Sequence, residues 1–216
     1  EPGLHEAWCL ALERTVCRRA DRVINTDRAR ARLQQSCYRL AKTPLWVQNC
    51  LPLATPLLPP DSALRRELLG GRVEHDDFLL VYPTAVSNAA SAERLTHVLI
   101  QAFAGLPPRY RLATFYREGV EYERCRRLVV ERNLRDRVVF LPPVPFARLQ
   151  AYVGSADMGA ILYDDRRSAG YFMANADKLS VLIAAGVPYV ASDYPNLESV
   201  TYRYGLGVCC DARDPV

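Results

Sequence analysis

Residues 137–163 read RVVFLPPVPFARLQAYVGSADMGAILY, and residues 176–192 read ADKLSVLIAAGVPYVAS. In the first block, Val138, Val139, Phe140 and Leu141 make a short apolar run of strand length. Leu149, Tyr152 and Val153 follow at helical spacing behind Pro145, which a first helical turn tolerates because the N–H it lacks would be unbonded there anyway. Residues 158–163 are a second apolar run, the pattern of a strand covered on both faces in a parallel sheet. The second block predicts a helix over 177–185 stopped at Gly186, then a strand over 187–191. Strands separated by helices, with no hairpin turn between them, must run parallel.

Working outward, the alternation continues. A helix over 197–204 and a strand over 207–210 follow. Upstream, 78–82 is an apolar strand, and Leu95, Val98, Leu99, Ala102 and Phe103 mark an amphipathic helix ended by Gly105 and Pro107. A strand over 110–116 and a helix over 121–132 lead to the quoted block. The fold class is therefore α/β, a doubly wound, Rossmann-like parallel sheet, whose ligand belongs beyond the carboxyl ends of the strands. The loops that matter follow residues 82, 116, 141, 163 and 191.

The first 48 residues read as a separate segment: a helix over 4–20 carrying Leu4, Trp8, Leu12 and Val16, a strand over 23–26, a helix capped by Thr26 or Asp27 and running to about 36, and a short apolar run at 45–47. Pro52, Pro56, Pro59 and Pro60 exclude helix and central strand, so 49–62 is predicted to be an extended linker at a domain boundary. A length of 216 residues allows one large or two small domains.

Composition narrows the class. Half the residues are apolar and 24% charged, which excludes disordered and fibrous chains, and no apolar run approaches the roughly 18 residues of a spanning helix. The chain opens on Glu1 with no charged-then-apolar leader, so no secretory signal is expected. The seven cysteines form no C-x-x-C pair; they read as reduced thiols, making zinc unexpected and a cytoplasmic setting expected. Net charge is +4, and the 28 basic residues are arginines except for Lys42 and Lys178. Arg28 and Arg32 share one helix face with Arg30 nearly opposite, a solvated arrangement, so nucleic acid is not expected as a partner.

The key loops contain no G-x-G-x-x-G, no P-loop and no G-x-S-x-G, so nicotinamide cofactors, P-loop phosphoryl transfer and elbow-type hydrolysis drop out. His5, His75 and His97 all read as solvated surface residues.

One ordered set is specific: the strand and P-P-V-P loop at 138–145, A-D-M-G at 156–159, K-L-S-V-L-I-A-A-G-V-P at 178–188 and Y-G-L-G-V at 204–208. It resembles the donor-binding half of two-domain, B-type-fold glycosyltransferases, in particular the family 4-like group that attaches sugars to bacterial polysaccharides and lipid-linked acceptors. The resemblance implies that residues 1–48 are the tail of the acceptor domain and that 63–216 bind a nucleotide sugar, without the closing helix of that domain. It implies glycosyl transfer to an acceptor hydroxyl from a nucleotide-diphosphate-sugar donor, with no cofactor and no metal. Partners would be the nucleotide sugar and a glycan or lipid-linked acceptor, with peripheral contact at the inner membrane face. The helix near 177 would turn its free N–H groups to the pyrophosphate behind an Asn175 cap, with Lys178 and Ser180 in its first turn. Arg166 and Arg167 would add charge-assisted bonds to phosphate, while Leu141, Pro142 and Val144 would pack on the base.

Two departures accompany the likeness. Met173 and Val181 stand where the family usually has a pair of glutamates. Pro83, Thr84, Ala85, Val86, Ser87 and Asn88 replace the usual glycine loop after the first strand, with no clear counterpart of the basic residue that follows it. Two readings stay open: an enzyme with a rebuilt donor site, and a non-catalytic interaction module that kept the fold.

Overall fold

The computed structural model describes residues 4–52, 56–88, 93–164 and 177–214. They divide into two compact units, one up to Asn49 and the other from Cys50 on.

The first unit contains α1 (Leu4–Arg19), β1 (Ile24–Asn25), α2 (Arg28–Tyr38) and β2 (Leu45–Trp46), with β1 and β2 parallel. Of the two candidate caps for α2, the chain uses Asp27, whose side chain accepts from the Arg30 N–H at 2.7 Å. The apolar stripe that makes α1 legible stays uncovered: Trp8, Leu12 and Val16 are exposed, as are Ile24, Leu45 and Trp46 on the strands.

The second unit contains α3 (Ser62–Leu68), β3 (Phe78–Val86), α4 (Thr96–Gly105), β4 (Tyr110–Tyr116), α5 (Val120–Glu131), β5 (Val138–Leu141), α6 (Phe146–Gly154), β6 (Met158–Ile161), α7 (Asp177–Ala185), β7 (Tyr189–Ser192), α8 (Pro195–Tyr204) and β8 (Gly207–Cys210). Its six strands lie in the order β5-β4-β3-β6-β7-β8, all parallel. Counted within the unit this is 3-2-1-4-5-6, the doubly wound order that reverses between its first and fourth strands. Along β3 the period of two sends Leu79 and Val81 to a core shared with α3, α6 and α7, and Leu80 and Tyr82 to a core shared with α4 and α5. Both faces are covered, which is why the strands read as unbroken apolar runs.

Two local differences from the sequence expectation have physical causes. β3 does not stop at Tyr82 but continues through Pro83 to Val86. Its pairing with β4 shifts register between Tyr82 and Ala85, and β6 pairs only with Leu80 and Val81, so Pro83 sits at an irregularity where no ladder bond needs its missing N–H. The Thr114 hydroxyl lies 3.2 Å from the carbonyls of Tyr82 and Thr84 and covers the shift. α3 is an unpredicted helix, capped by the Asp61 carboxylate on the N–H groups of Ala63 and Leu64. The Pro-rich stretch before it forms neither helix nor strand among its described residues and lies along α6: the Gln150 amide donates to the Pro56 carbonyl, and the Ser155 hydroxyl accepts from the Asp61 N–H.

The amino-terminal edge of the sheet is clamped by ion pairs. Arg111 Nε donates to Asp77 Oδ1 at 2.7 Å, and another arm of the same guanidinium reaches Glu74 at 3.2 Å. Arg65 bonds both carboxylate oxygens of Asp157, whose Oδ2 also takes the Leu79 N–H. Burial pushes the Asp77 carboxyl up, but the Glu74 N–H, Arg111 and Arg65 outweigh it and hold the group below its ordinary value. On the outer side of β8, the Tyr202 hydroxyl accepts from the Cys209 N–H at 3.1 Å, occupying a ladder group that an edge strand would otherwise leave open.

Candidate functional site

The strand order places the ligand crevice where β3 and β6 part, at their carboxyl ends. Side chains and loops close around that point. The buried Tyr82 hydroxyl lies 2.5 Å from the Arg94 carbonyl and 2.9 Å from the Leu162 carbonyl, joining the segment before α4 to the end of β6. The Asp164 N–H donates to the Glu93 carbonyl at 2.7 Å, a second tie across the same gap. From the other side, the N–H groups of Glu121 and Tyr122 at the start of α5 donate to the Ser87 carbonyl, fixing the exit of β3. Gly119 permits that approach: a Cβ there would lie 2.3 Å from the Ser87 oxygen.

Two cations converge on this frame. Arg94 donates from one guanidinium nitrogen to the Thr84 hydroxyl and the Ala85 carbonyl, each at 3.2 Å. Lys178, in the first turn of α7, donates to the Tyr163 hydroxyl at 3.0 Å, and its amine lies 5.2 Å from the centroid of that ring. Burial first and the Arg94 charge second lower the Lys178 pKa from 10.5 to about 8, with Asp177 offsetting only part of the effect. Among the described residues, neither cation has a carboxylate within ion-pair distance. Positive charge held close to positive charge on neutral partners is an arrangement completed by an anion.

The other predicted site residues divide. Asn175, Arg166 and Arg167 lie outside the described residues. The Ser180 hydroxyl donates to the Asp177 carbonyl at 2.8 Å and so bonds within its own helix. Leu141 is a core residue, Val144 is packed against the same core, and Pro142 is exposed. Val181 is buried beside Leu179 and Leu182 in that core. The sequence shows no clear counterpart of the basic group after the first strand; the structure puts Arg94 at that end of β3. The signal was an arginine just before the first helix that follows the first strand of the sheet, a place that doubly wound order brings to the switch point.

His97 also differs from its surface reading. It is half-buried with Nδ1 3.0 Å from Glu121 Oε1, and Arg124 lies 3.4 Å from the other oxygen. Burial raises the Glu121 pKa, but His97 and Arg124 outweigh it and hold the carboxyl below its ordinary value. This pair fastens α4 to α5. The described residues contain no group of three or more His, Cys, Asp or Glu placed to hold a metal ion, and no helix long and apolar enough to cross a membrane.

Known proteins share this architecture. A D-inositol 3-phosphate glycosyltransferase of Xylanimonas cellulosilytica is 30% identical over 168 residues, which are 75% of this chain and 37% of that protein. Sucrose-phosphate synthase from Thermosynechococcus elongatus matches 97% of this chain and 50% of its own with a TM-score of 0.71 at 20% identity. WaaG, a glycosyltransferase involved in lipopolysaccharide biosynthesis, matches 95% of this chain and 54% of its own, also at 0.71, with 14% identity. Anabaena HepE, solved in complex with UDP and glucose, matches 88% of this chain and 50% of its own at a TM-score of 0.65 and 15% identity. No family model matches the chain. The fold is therefore a Rossmann-like part of the glycosyltransferase B-type architecture, as the sequence resemblance implied. The chain spans 37% of its curated relative and about half of these solved chains.

Proposed function

We propose that this chain is the donor-binding part of a glycosyltransferase, which moves a glycosyl group from a nucleoside-diphosphate sugar to an acceptor hydroxyl. The observation that carries the proposal is the Arg94 and Lys178 pair at the switch point, two cations on neutral partners. In such a transfer the bond between the anomeric carbon and the diphosphate oxygen breaks, and the diphosphate departs with the electron pair. The acceptor oxygen bonds the same carbon and loses its proton. Cations fixed beside the departing oxygens are worth most as that charge develops. The likeness to a curated glycosyltransferase and to a structure holding UDP supports this donor class.

In this reading the donor is the only small molecule required, with no cofactor. The transferred group is a hexosyl unit, and the acceptor is a glycan or lipid-linked glycan met at the cytoplasmic face of a membrane. Residues 1–48 are the tail of the acceptor-side domain, 49–62 the linker and 63–216 the donor-side domain. Calorimetric titration of UDP- and GDP-sugars into the full-length protein tests the proposal: millimolar or tighter binding, lost when Arg94 and Lys178 are both replaced by Met, is the expected result. Absence of binding at millimolar donor overturns it.

One observation favours a second reading, a binding module without turnover. Val181 belongs to the core, so the start of α7 presents Asp177 as its acidic side chain among the described residues. Donor binding without product formation in the full-length protein would select this reading, and turnover would exclude it.

A further inference from the structure

We infer that Tyr163 is a positioning residue for the diphosphate site: its hydroxyl and ring hold the Lys178 amine in the crevice between β3 and β6, and side chains at the end of β7 brace Tyr163. The inference rests on the donor-site reading above and assigns it a residue that the sequence left unremarked.

Tyr163 is buried, and the phenol oxygen it carries needs a partner there. Among the described residues the Lys178 amine supplies one, bonded at 3.0 Å. The same amine lies 5.2 Å from the ring centroid, within reach of the negative face of the ring. A lysine side chain that is free to rotate loses substantial entropy when an anion fixes it, and one already held loses less.

The bracing of Tyr163 is unusual in kind. β6 ends at Ile161, so the Tyr163 backbone lies beyond the ladder. Its N–H donates to the Ser192 hydroxyl at 2.9 Å, and its carbonyl accepts from the Tyr194 hydroxyl at 2.7 Å and from the Ser192 hydroxyl at 3.2 Å. All three groups are buried. Side chains at and just past the end of β7 thus take over the bonds that a neighbouring strand would have supplied, and they fix a residue that holds the amine. Among the described residues, the charged groups acting on Lys178 are Arg94, from the segment before α4, and Asp177, from its own helix; Tyr163 is its neutral acceptor.

The test is titration of the full-length protein with UDP between pH 6.5 and 9.5. Wild-type affinity is expected to fall as pH rises past about 8, where Lys178 loses its proton. Tyr163→Phe keeps the ring and removes the acceptor that favours the charged amine. It is expected to weaken binding about fivefold to tenfold at pH 7 and to move the midpoint of the pH-dependent loss downward. Tyr194→Phe leaves both partners in place and should shift the same two readouts in the same direction by less. Lys178→Met should weaken binding further and flatten the pH profile. Wild-type affinity and midpoint in Tyr163→Phe would overturn the positioning role while leaving the diphosphate site standing. Wild-type affinity in Lys178→Met would overturn the site itself and the positioning role with it.

Discussion

The two ends of the same parallel sheet treat positive charge in opposite ways. At the amino-terminal edge, Arg111 meets Asp77 and Glu74, and Arg65 meets both oxygens of Asp157. At the carboxyl edge, Arg94 bonds a threonine hydroxyl and a carbonyl, and Lys178 bonds a phenol. The same residue types thus do different jobs. A buried cation matched by a carboxylate is architecture, because its desolvation is offset within the fold. A cation left on neutral oxygens beside another cation, with no carboxylate at ion-pair distance among the described residues, holds a charge that a ligand can offset.

The largest effect that tests this contrast lies at the matched end. Asp77→Ala leaves the Arg111 guanidinium buried without its main partner and is expected to destabilise the protein by about 3–5 kcal/mol in denaturant titration. Because the folded Asp77 carboxyl is held below its ordinary value, its contribution is present above the usual carboxylate range and disappears as pH falls through it. The wild-type advantage over Asp77→Ala should therefore shrink in acid. A change below about 1 kcal/mol at pH 7 would break the comparison.

A middle-sized effect of opposite sign lies at the unmatched end. Lys178→Met is expected to leave stability unchanged or to raise it, while weakening UDP binding about tenfold or more. The Lys178 amine has a folded pKa of about 8 against an ordinary 10.5, so the unfolded chain binds more protons between those values. Wild-type stability should then rise with pH across that window, and Lys178→Met should lose the rise. Unfolding midpoints at pH 7.5 and 10 check both statements, and clear destabilisation by Lys178→Met would place the lysine among the architectural cations. The smallest effect concerns an edge of the sheet and not its charges. Tyr202→Phe frees the Cys209 N–H on β8 at a cost of less than about 1 kcal/mol, but sedimentation should show greater self-association. Unchanged sedimentation would mean that the Tyr202 hydroxyl does not guard that edge.

Much of this sheet was legible because its strands are buried on both faces and so carry unbroken apolar runs. Phe78 to Tyr82 and Val138 to Leu141 need no partner to be recognised. Gly186 was legible as a helix stop for a local reason, and it does adopt a left-handed φ of 68°. Pro83 misled because local rules end a central strand at proline; only the register shift against β4 and the short pairing with β6 make room for it. Lys178 is legible from its place in a recognisable run, whereas the signal at Arg94, its place just before the helix that follows the first strand, gains meaning only from the strand order. His97 looked solvated because its partner, Glu121, comes from another helix.

By itself the sequence determined the order of elements, the parallel sense of the strands and the end of the sheet where a ligand belongs. Each follows from periodicity and chain connectivity, which are local properties. The tertiary structure alone decided which charges are matched and which are not. Strand order brings Arg94, Tyr163 and Lys178 to one crevice and the Asp77 and Arg111 pair to the opposite edge. The strength of a charge depends on how far it is buried and on what faces it, and both arise only when distant segments pack.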